Sequence, residues 1–169
     1  MRRYVSHLGL IERKQGHVTE AAEYYRQAYQ IALEMRDPLK QEMVLSETGL
    51  LAAEANRLAE AEDYLRESLN RAYQIRNFRG VRIGLTRLIE ILIRRQKHDE
   101  AQELLAESEQ RNQEAQDKIG VAWNLKHRGQ IEQARGNIED GNNIILQGIQ
   151  QLEQMGDEDY IPEFRSALM

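Results

Sequence analysis

The sequence predicts an all-α fold in which helical hairpins repeat along the chain. Charged residues make up 30% of the 169 residues and aromatic residues 6%, a mix that favours a helical protein over a β-sandwich. Small and apolar residues recur every 40 positions, which is the pattern of a repeat protein. Turn-forming residues occur about every 20 positions. These breaks argue against the rival structure, a single long coiled coil.

Columns of similar residues run through four periods without an insertion. One column is Ala21, Ala61, Ala101 and Gly141, and the next is Tyr25, Leu65, Leu105 and Ile145. A third column begins at Ala28, and since positions i, i+4 and i+7 share a helical face, the three columns predict the buried side of one helix. Gly9, Gly49 and Gly129, with Ile89 at the missing step, suit a close crossing by the other helix of each unit.

A column of short polar residues predicts where helices begin. It contains Asp37, Asn77, Asp117 and Asp157, which are N-cap residues, and Pro38 follows at the first helical position. Helix A is therefore predicted at 38–54, 78–95 and 118–134, with a shorter copy near 2–14. Helix B is predicted at 18–35, 58–75, 98–115 and 138–155. A fifth helix A is predicted from near Glu158.

These helices predict a single domain over 1–169. Its repeats are about 2–36, 37–76, 77–116 and 117–156, followed by a partial helix at 157–169. Because the first and last A helices are short, we expect the chain to be a fragment of a longer protein. The alternative is a small protein whose end helices are simply short.

The repeat resembles the tetratricopeptide repeat, on the residues Leu8-Gly9, Gly16 and Ala21-x-x-x-Tyr25-x-x-Ala28. The period is 40 residues where the family has 34, so the chain resembles a long-period variant, as in bacterial signalling regulators and cell-polarity adaptors. The resemblance implies a right-handed α-solenoid of four tetratricopeptide-like hairpins plus part of a fifth helix A. It also implies that the A helices line a concave binding face.

No catalytic or cofactor motif stands out from the sequence. It contains no cysteine, no glycine-rich phosphate loop and no metal-ligand spacing among its four histidines. We therefore expect no enzymatic activity, no cofactor and no metal. A net charge of −5 argues against nucleic acid as a partner. The absence of a long apolar run and of a secretory signal predicts a cytoplasmic protein without membrane contact.

The register of the resemblance places eleven residues on the concave face. They are Leu10, Met43, Ser46, Leu50, Arg79, Ile83, Thr86, Glu90, Trp123, Lys126 and Gln130. Trp123, the only tryptophan, is predicted to anchor a partner side chain, and core packing is its alternative role. Met43, Leu10 and Leu50 are predicted as apolar contacts. Arg79 and Lys126 are predicted to bind acidic groups.

Charge divides two consecutive predicted helices. The segment 76–97 holds seven basic residues and one acidic residue, Glu90, whereas 99–117 holds seven acidic residues and one basic residue, Arg111. The basic helix is either a patch for an acidic peptide or is neutralised by its neighbours. The predicted function is a non-enzymatic protein- or peptide-binding module, such as the sensor or adaptor arm of a bacterial signalling regulator. The alternative is a scaffold that associates with itself or with other domains.

Overall fold

The computed structural model describes residues 4–169, so the start of the predicted first helix, residues 1–3, lies outside the described residues. Over residues 4–169 the chain forms nine α-helices and no β-strand, which confirms the predicted all-α repeat fold. The helices are α1 (Val5–Lys14), α2 (Val18–Glu34), α3 (Pro38–Glu54), α4 (Leu58–Gln74), α5 (Phe78–Arg94), α6 (His98–Glu114), α7 (Lys118–Ala134), α8 (Ile138–Met155) and α9 (Ile161–Arg165).

The last helix differs from the prediction. Helices α2 to α8 begin where the sequence predicted and end within one residue of it, but α9 begins at Ile161 instead of near Glu158. Pro162 explains the difference, because a proline inside a helix clashes with the carbonyl four residues earlier and is tolerated only in the first turn. Asp157 is therefore not a helix N-cap in this structure.

Two of the predicted N-caps are confirmed by hydrogen bonds. The Asp37 carboxylate accepts from the Lys40 backbone N–H at 3.0 Å. The Asp117 carboxylate accepts from the backbone N–H of Gly120, also at 3.0 Å. Each bond satisfies a donor that the first turn of a helix otherwise leaves open.

The turns between helices share one backbone conformation. A residue with positive φ occurs every 20 positions. These residues are Gly16, Arg36, Asn56, Arg76, Gln96, Gln116, Gly136 and Gly156. This left-handed conformation ends a helix and favours glycine, because a Cβ crowds the backbone there. Five of the eight positions nevertheless carry a side chain.

The chain divides into two compact units, Met1–Ile91 (unit 1) and Leu92–Met169 (unit 2). Within unit 1, α1 pairs with α2 and α3 pairs with α4. A Cβ added at Gly49 would lie 2.8 Å from Leu65 Cγ, so α3 approaches α4 closely only because residue 49 has no side chain. Gly9 stands in the same relation to Tyr25, which confirms the predicted small-residue crossings.

In unit 2, α6, α7 and α8 pack in sequence and α9 packs on α8. One core cluster of this unit contains Ala122, Ile145, Ile149, Leu152, Ile161 and Phe164. The predicted core columns are buried in both units: Tyr25, Leu65, Leu105 and Ile145 are each at most 1% exposed. No helix described over residues 4–169 combines the length and apolarity needed to cross a bilayer.

Candidate binding cleft

A cleft of about 540 Å³ opens between α1, α2 and α3 of unit 1. We call it the α1–α3 cleft. It is lined by Ser6, His7, Leu10, Tyr25, Ala28, Ile31, Met35, Lys40, Met43, Val44 and Glu47. This volume is in the range of sites that bind small molecules or single side chains of a partner.

Helical spacing brings the apolar lining together. Leu10 contributes from α1 and Met43 from α3, and the two were predicted to share a binding face. Ile31 contributes from α2. Met35, about one helical turn later, contributes from the residue that follows α2. Met35 and Met43 are each 55% exposed, so two large apolar residues of the cleft are open to solvent. Methionine is flexible and polarisable, so such a surface adapts to differently shaped partners.

One end of the cleft carries polar atoms without hydrogen bonds. Tyr25 is only 1% exposed, and no group within residues 4–169 meets its hydroxyl oxygen with good hydrogen-bond geometry, although the Arg13 guanidinium lies near it. Burial, followed by the nearby Glu47 carboxylate, raises the pKa of Tyr25, so the phenol is neutral near pH 7 and can both donate and accept. A buried polar group without a partner costs free energy that a bound ligand could recover.

Arginines hold Glu47 at the same end of the cleft. Arg87 Nη2 donates to Glu47 Oε1 at 3.0 Å, and Arg13 Nη2 lies 3.6 Å from Glu47 Oε2. Arg13 also pairs with Glu54. Arg87 Nη1 donates to the Ser46 hydroxyl at 2.6 Å. Ser46 is 4% exposed and is bonded within unit 1, although the sequence placed it on the binding face.

The other predicted residues of α3 and α5 do not line this cleft. Leu50, Ile83 and Glu90 are half-buried, and Arg79 is exposed. The half-buried Thr86 donates its hydroxyl hydrogen to the carbonyl of Arg82, in its own helix, at 3.1 Å. The roles predicted for these residues in partner binding stay predictions.

Trp123 and Lys126 belong to unit 2, where the C-terminal segment covers them. The Trp123 ring is half-buried and lies 5.2 Å from Phe164 and 5.7 Å from Tyr160, between ring centroids. Lys126 was expected to face an acidic partner. Instead its side chain is 4% exposed, and its ammonium group donates to Glu163 Oε1 at 2.8 Å.

Next to Lys126, two further groups are buried without complete hydrogen bonding. His127 is fully buried, and neither ring nitrogen has a hydrogen-bond partner among the described residues. Burial, and then the charge of Lys126, lowers the pKa of His127 to about 3. The imidazole is therefore neutral at physiological pH. Gln130, also predicted on the binding face, is half-buried with its side-chain oxygen unbonded.

Sequence reasoning missed the contribution of α2 to the cleft. Ile31 and Met35 lie on helix B, whereas the resemblance pointed only to the A helices. The signal was present, since Ala28, Ile31 and Met35 continue one helical face beyond the buried Tyr25. His7 and Lys40, at positions that the sequence left unassigned, add titratable groups to the lining.

Unit 2 contains a second cavity, of about 620 Å³. Most of its lining consists of uncharged amide side chains from α6, α8 and the turn after α6: Asn112, Gln113, Gln116, Gln151 and Gln154. No group of three or more histidine, aspartate or glutamate side chains within residues 4–169 is placed to hold a metal ion.

The fold is shared with solved proteins of low sequence identity. No family model matches the sequence, and no curated protein matches it. Aspartyl phosphate phosphatase F from Bacillus subtilis is 14% identical, with a TM-score of 0.83 over 98% of this chain and 44% of that chain. The apo form of RapI is 12% identical, with a TM-score of 0.78 over 99% of this chain and 46% of that chain.

A third similar structure is a Rap protein complexed with competence and sporulation factor. It is 13% identical, with a TM-score of 0.78 over 90% of this chain and 43% of that chain. The chain thus spans less than half the length of each of these proteins. At this identity the likeness shows a common helical-repeat fold, and membership of the tetratricopeptide repeat family stays a prediction.

Proposed function

We propose that the chain is a non-enzymatic binding module that holds a segment of a protein partner in the α1–α3 cleft. The observation that carries the proposal is the combination of exposed Met35 and Met43 with the buried, unbonded Tyr25 hydroxyl in one cavity. The methionines offer an apolar contact, and the phenol offers a hydrogen bond to a peptide backbone or side chain. One protein of the same fold, the Rap protein, is complexed with competence and sporulation factor.

The fold also supports a place for this module in bacterial signalling. We infer that it serves as the sensor or adaptor arm of a regulator, since the proteins of similar fold include Rap proteins more than twice its length. One of them is named a phosphatase. If the chain itself hydrolysed acyl phosphates, it would release inorganic phosphate from acetyl phosphate faster than buffer does. We expect no such acceleration.

The binding proposal is tested with a random peptide library displayed on phage and selected against the immobilised chain. Peptides retained by the wild type are then measured against Met43→Glu, which places a charge in the cleft, and Tyr25→Phe, which removes only the hydroxyl. Leu146→Glu is the matched control, because Leu146 is 48% exposed and lies in unit 2.

We expect Met43→Glu to abolish binding and Tyr25→Phe to weaken it about threefold to tenfold, the usual effect of one lost hydrogen bond. Leu146→Glu should bind like the wild type. Selected peptides that bind all three variants equally would overturn the cleft as the binding site.

Self-association is the second candidate function, and one feature of α1 favours it. Tyr4, Leu8 and Ile11 are 65%, 41% and 49% exposed and follow helical spacing along one face. Such a stripe is typical of a contact surface. Light scattering of the wild type and of Leu8→Glu over a range of concentrations distinguishes the two functions. A dimer that the substitution dissociates would support self-association.

A further inference from the structure

At two turns of unit 1, exposed arginines are close in the chain to exposed apolar residues that do not line the α1–α3 cleft. Phe78 opens α5 and is 77% exposed, and Leu39, in the first turn of α3, is 47% exposed. Arg36, Arg76 and Arg79 are also exposed. We call these five residues the arginine edge. A single exposed apolar residue is common, but exposed apolar residues together with exposed arginines offer a partner both kinds of contact.

Hydrogen bonds hold the two turns side by side. The Asn77 carboxamide, next to Phe78 in the chain, donates to Glu42 Oε2 at 3.0 Å. At the end of α4, Arg71 Nη1 donates to Gln41 Oε1 at 2.8 Å. A Cβ added at Gly80 would lie 3.1 Å from Glu42 Cδ, so the first turn of α5 lies directly against α3. The first turns of α3 and α5, which carry or follow the residues of the arginine edge, therefore lie beside each other in unit 1.

The repeat itself does not require these side chains. Forty residues after Arg76, Phe78 and Arg79, the equivalent positions hold Gln116, Lys118 and Ile119. Gln116 adopts the same φ as Arg76, 54°, and α7 begins at the position equivalent to the start of α5. Because the turn and the helix form equally well without them, the arginines and the phenylalanine are not explained by folding.

Arg36 also occupies a position that the backbone would give to glycine. Its φ is 49°, in the left-handed region, where a residue with a Cβ is disfavoured. Gly16, Gly136 and Gly156 occupy three of the eight equivalent turns, and the other five carry a side chain. An arginine at such a position is retained at a conformational cost.

The arginine edge is positive on a protein of net charge −5. The segment 74–81 holds Arg76 and Arg79 and no acidic residue. The acidic residue nearest to Arg36 in the chain, Asp37, pairs with Lys40 at 2.9 Å. Further along α5, Arg87 pairs with Glu47 at 3.0 Å, so this arginine is neutralised within unit 1. Arg36, Arg76 and Arg79 are exposed at or next to the turns.

We propose that the arginine edge docks an acidic segment of a partner protein that carries an apolar side chain. Its carboxylates pair with Arg36, Arg76 and Arg79, because the planar guanidinium groups match carboxylate geometry. Its apolar side chain packs on Phe78 and Leu39. An anionic membrane is disfavoured as the occupant, since the negative charge of the whole chain opposes approach to it.

The probe is a fluorescein-labelled peptide of glutamate and aspartate around one leucine–phenylalanine pair, measured by fluorescence anisotropy against the full chain. We expect saturable binding that weakens as salt is added, because exposed ion pairs are screened. A peptide with lysine in place of every acidic residue should not bind. The same acidic peptide with alanine in place of the apolar pair should bind several times more weakly.

The double variant Arg36→Gly/Arg76→Gly removes two charges and places glycine where φ is positive, so it should fold at least as stably as the wild type. It should bind the acidic peptide about tenfold more weakly. The matched control Asn56→Gly/Gln116→Gly makes the same backbone change at φ values of 58° and 54° without losing charge, and should keep full affinity. Phe78→Ala should also weaken binding.

The proposal does not depend on the α1–α3 cleft, and Met43→Glu should leave the affinity for the acidic peptide unchanged. Loss of the peptide in Met43→Glu but not in the glycine double variant would overturn the arginine edge in favour of the cleft. Equal binding of the lysine peptide would overturn it as well. Binding to phosphatidylserine vesicles without binding to the acidic peptide would replace the protein partner with a membrane surface.

Discussion

The ammonium nitrogen of Lys126 lies 4.5 Å from the centroid of the Trp123 ring. Trp123 and Lys126 are one turn apart on α7, and Glu163 completes the contact by pairing with the ammonium at 2.8 Å. An ammonium over an aromatic face is attracted by the ring quadrupole, more strongly when it is shielded from water. The C-terminal segment thus supplies the acidic and aromatic groups that satisfy these two side chains.

Substitution of Phe164 should detach this segment from α7. Phe164 is fully buried, so Phe164→Ala is expected to lower the free energy of unfolding by about 3 to 5 kcal/mol. Because Trp123 is the only tryptophan, its fluorescence emission should shift to longer wavelength as the ring becomes hydrated. Phe78→Ala is the matched control, since that ring is 77% exposed. An unchanged emission spectrum for Phe164→Ala would contradict the contact.

Stability should depend on pH through His127. Burial lowers its pKa from 6.5 to about 3, so below pH 6.5 the unfolded chain takes up a proton that the folded chain does not. The free energy of unfolding contributed by this residue therefore falls as pH drops from 6.5 towards 3. Between pH 7.5 and pH 5 the loss is about 2 kcal/mol. The free energy of unfolding, measured by urea denaturation at several pH values, should depend less on pH in His127→Leu than in the wild type. The same pH dependence in both proteins would refute the assignment.

Alanine at the helix crossings should destabilise the fold unequally. Gly49→Ala would bring a Cβ to 2.8 Å from Leu65 Cγ, a side-chain atom that can move, and should cost about 1 to 2 kcal/mol. Gly129→Ala would meet the backbone carbonyl of Gly141, which cannot move without shifting α8, and should cost more. Thermal or urea unfolding of the two variants measures both. An equal decrease in the free energy of unfolding for both variants would contradict this expectation, because it would show that the backbone of α8 moves as easily as the Leu65 side chain.

Replacing a residue by glycine at a left-handed turn should stabilise the chain, and replacing a glycine there should destabilise it. Arg36→Gly relieves a residue at φ 49° and should stabilise the chain by about 0.5 to 1 kcal/mol. Gly136→Ala, at φ 94°, introduces a Cβ into the same kind of turn and should destabilise it by about 1 kcal/mol. Urea denaturation of the two single variants provides the comparison. A destabilised Arg36→Gly would mean that the arginine side chain itself supports the fold.

Helix bounds were predictable because their signals are local. Asp37 caps α3 as expected, and the helices of both units break at the positive-φ residues that recur every 20 positions. The one late helix start, at Ile161, also had a local cause in Pro162 that the sequence displayed. Caps, prolines and left-handed turns act within a few residues, so a repeating sequence shows them several times.

Only part of the cleft lining could be predicted from the sequence, because the lining depends on contacts between helices. Leu10 and Met43 line one cleft as the register suggested, but their neighbours Ile31 and Met35 come from a helix that the resemblance did not indicate. Spacing alone placed Ser46 on the face, but its hydroxyl accepts a hydrogen bond from Arg87, 41 residues later. Helical spacing gives the direction of a side chain from its own helix, but it does not identify what stands opposite.

By itself the sequence determined the all-α repeat, the start of each helix from α2 to α8 and the core columns, because each depends on period, capping or small-residue spacing along one or two helices. Only the tertiary structure decided that Lys126 is buried against Glu163, that Tyr25 is left without a hydrogen bond, and that Phe78 stands open to solvent. Those outcomes depend on contacts between helices far apart in the chain, and such contacts leave no periodic trace in the residues that make them.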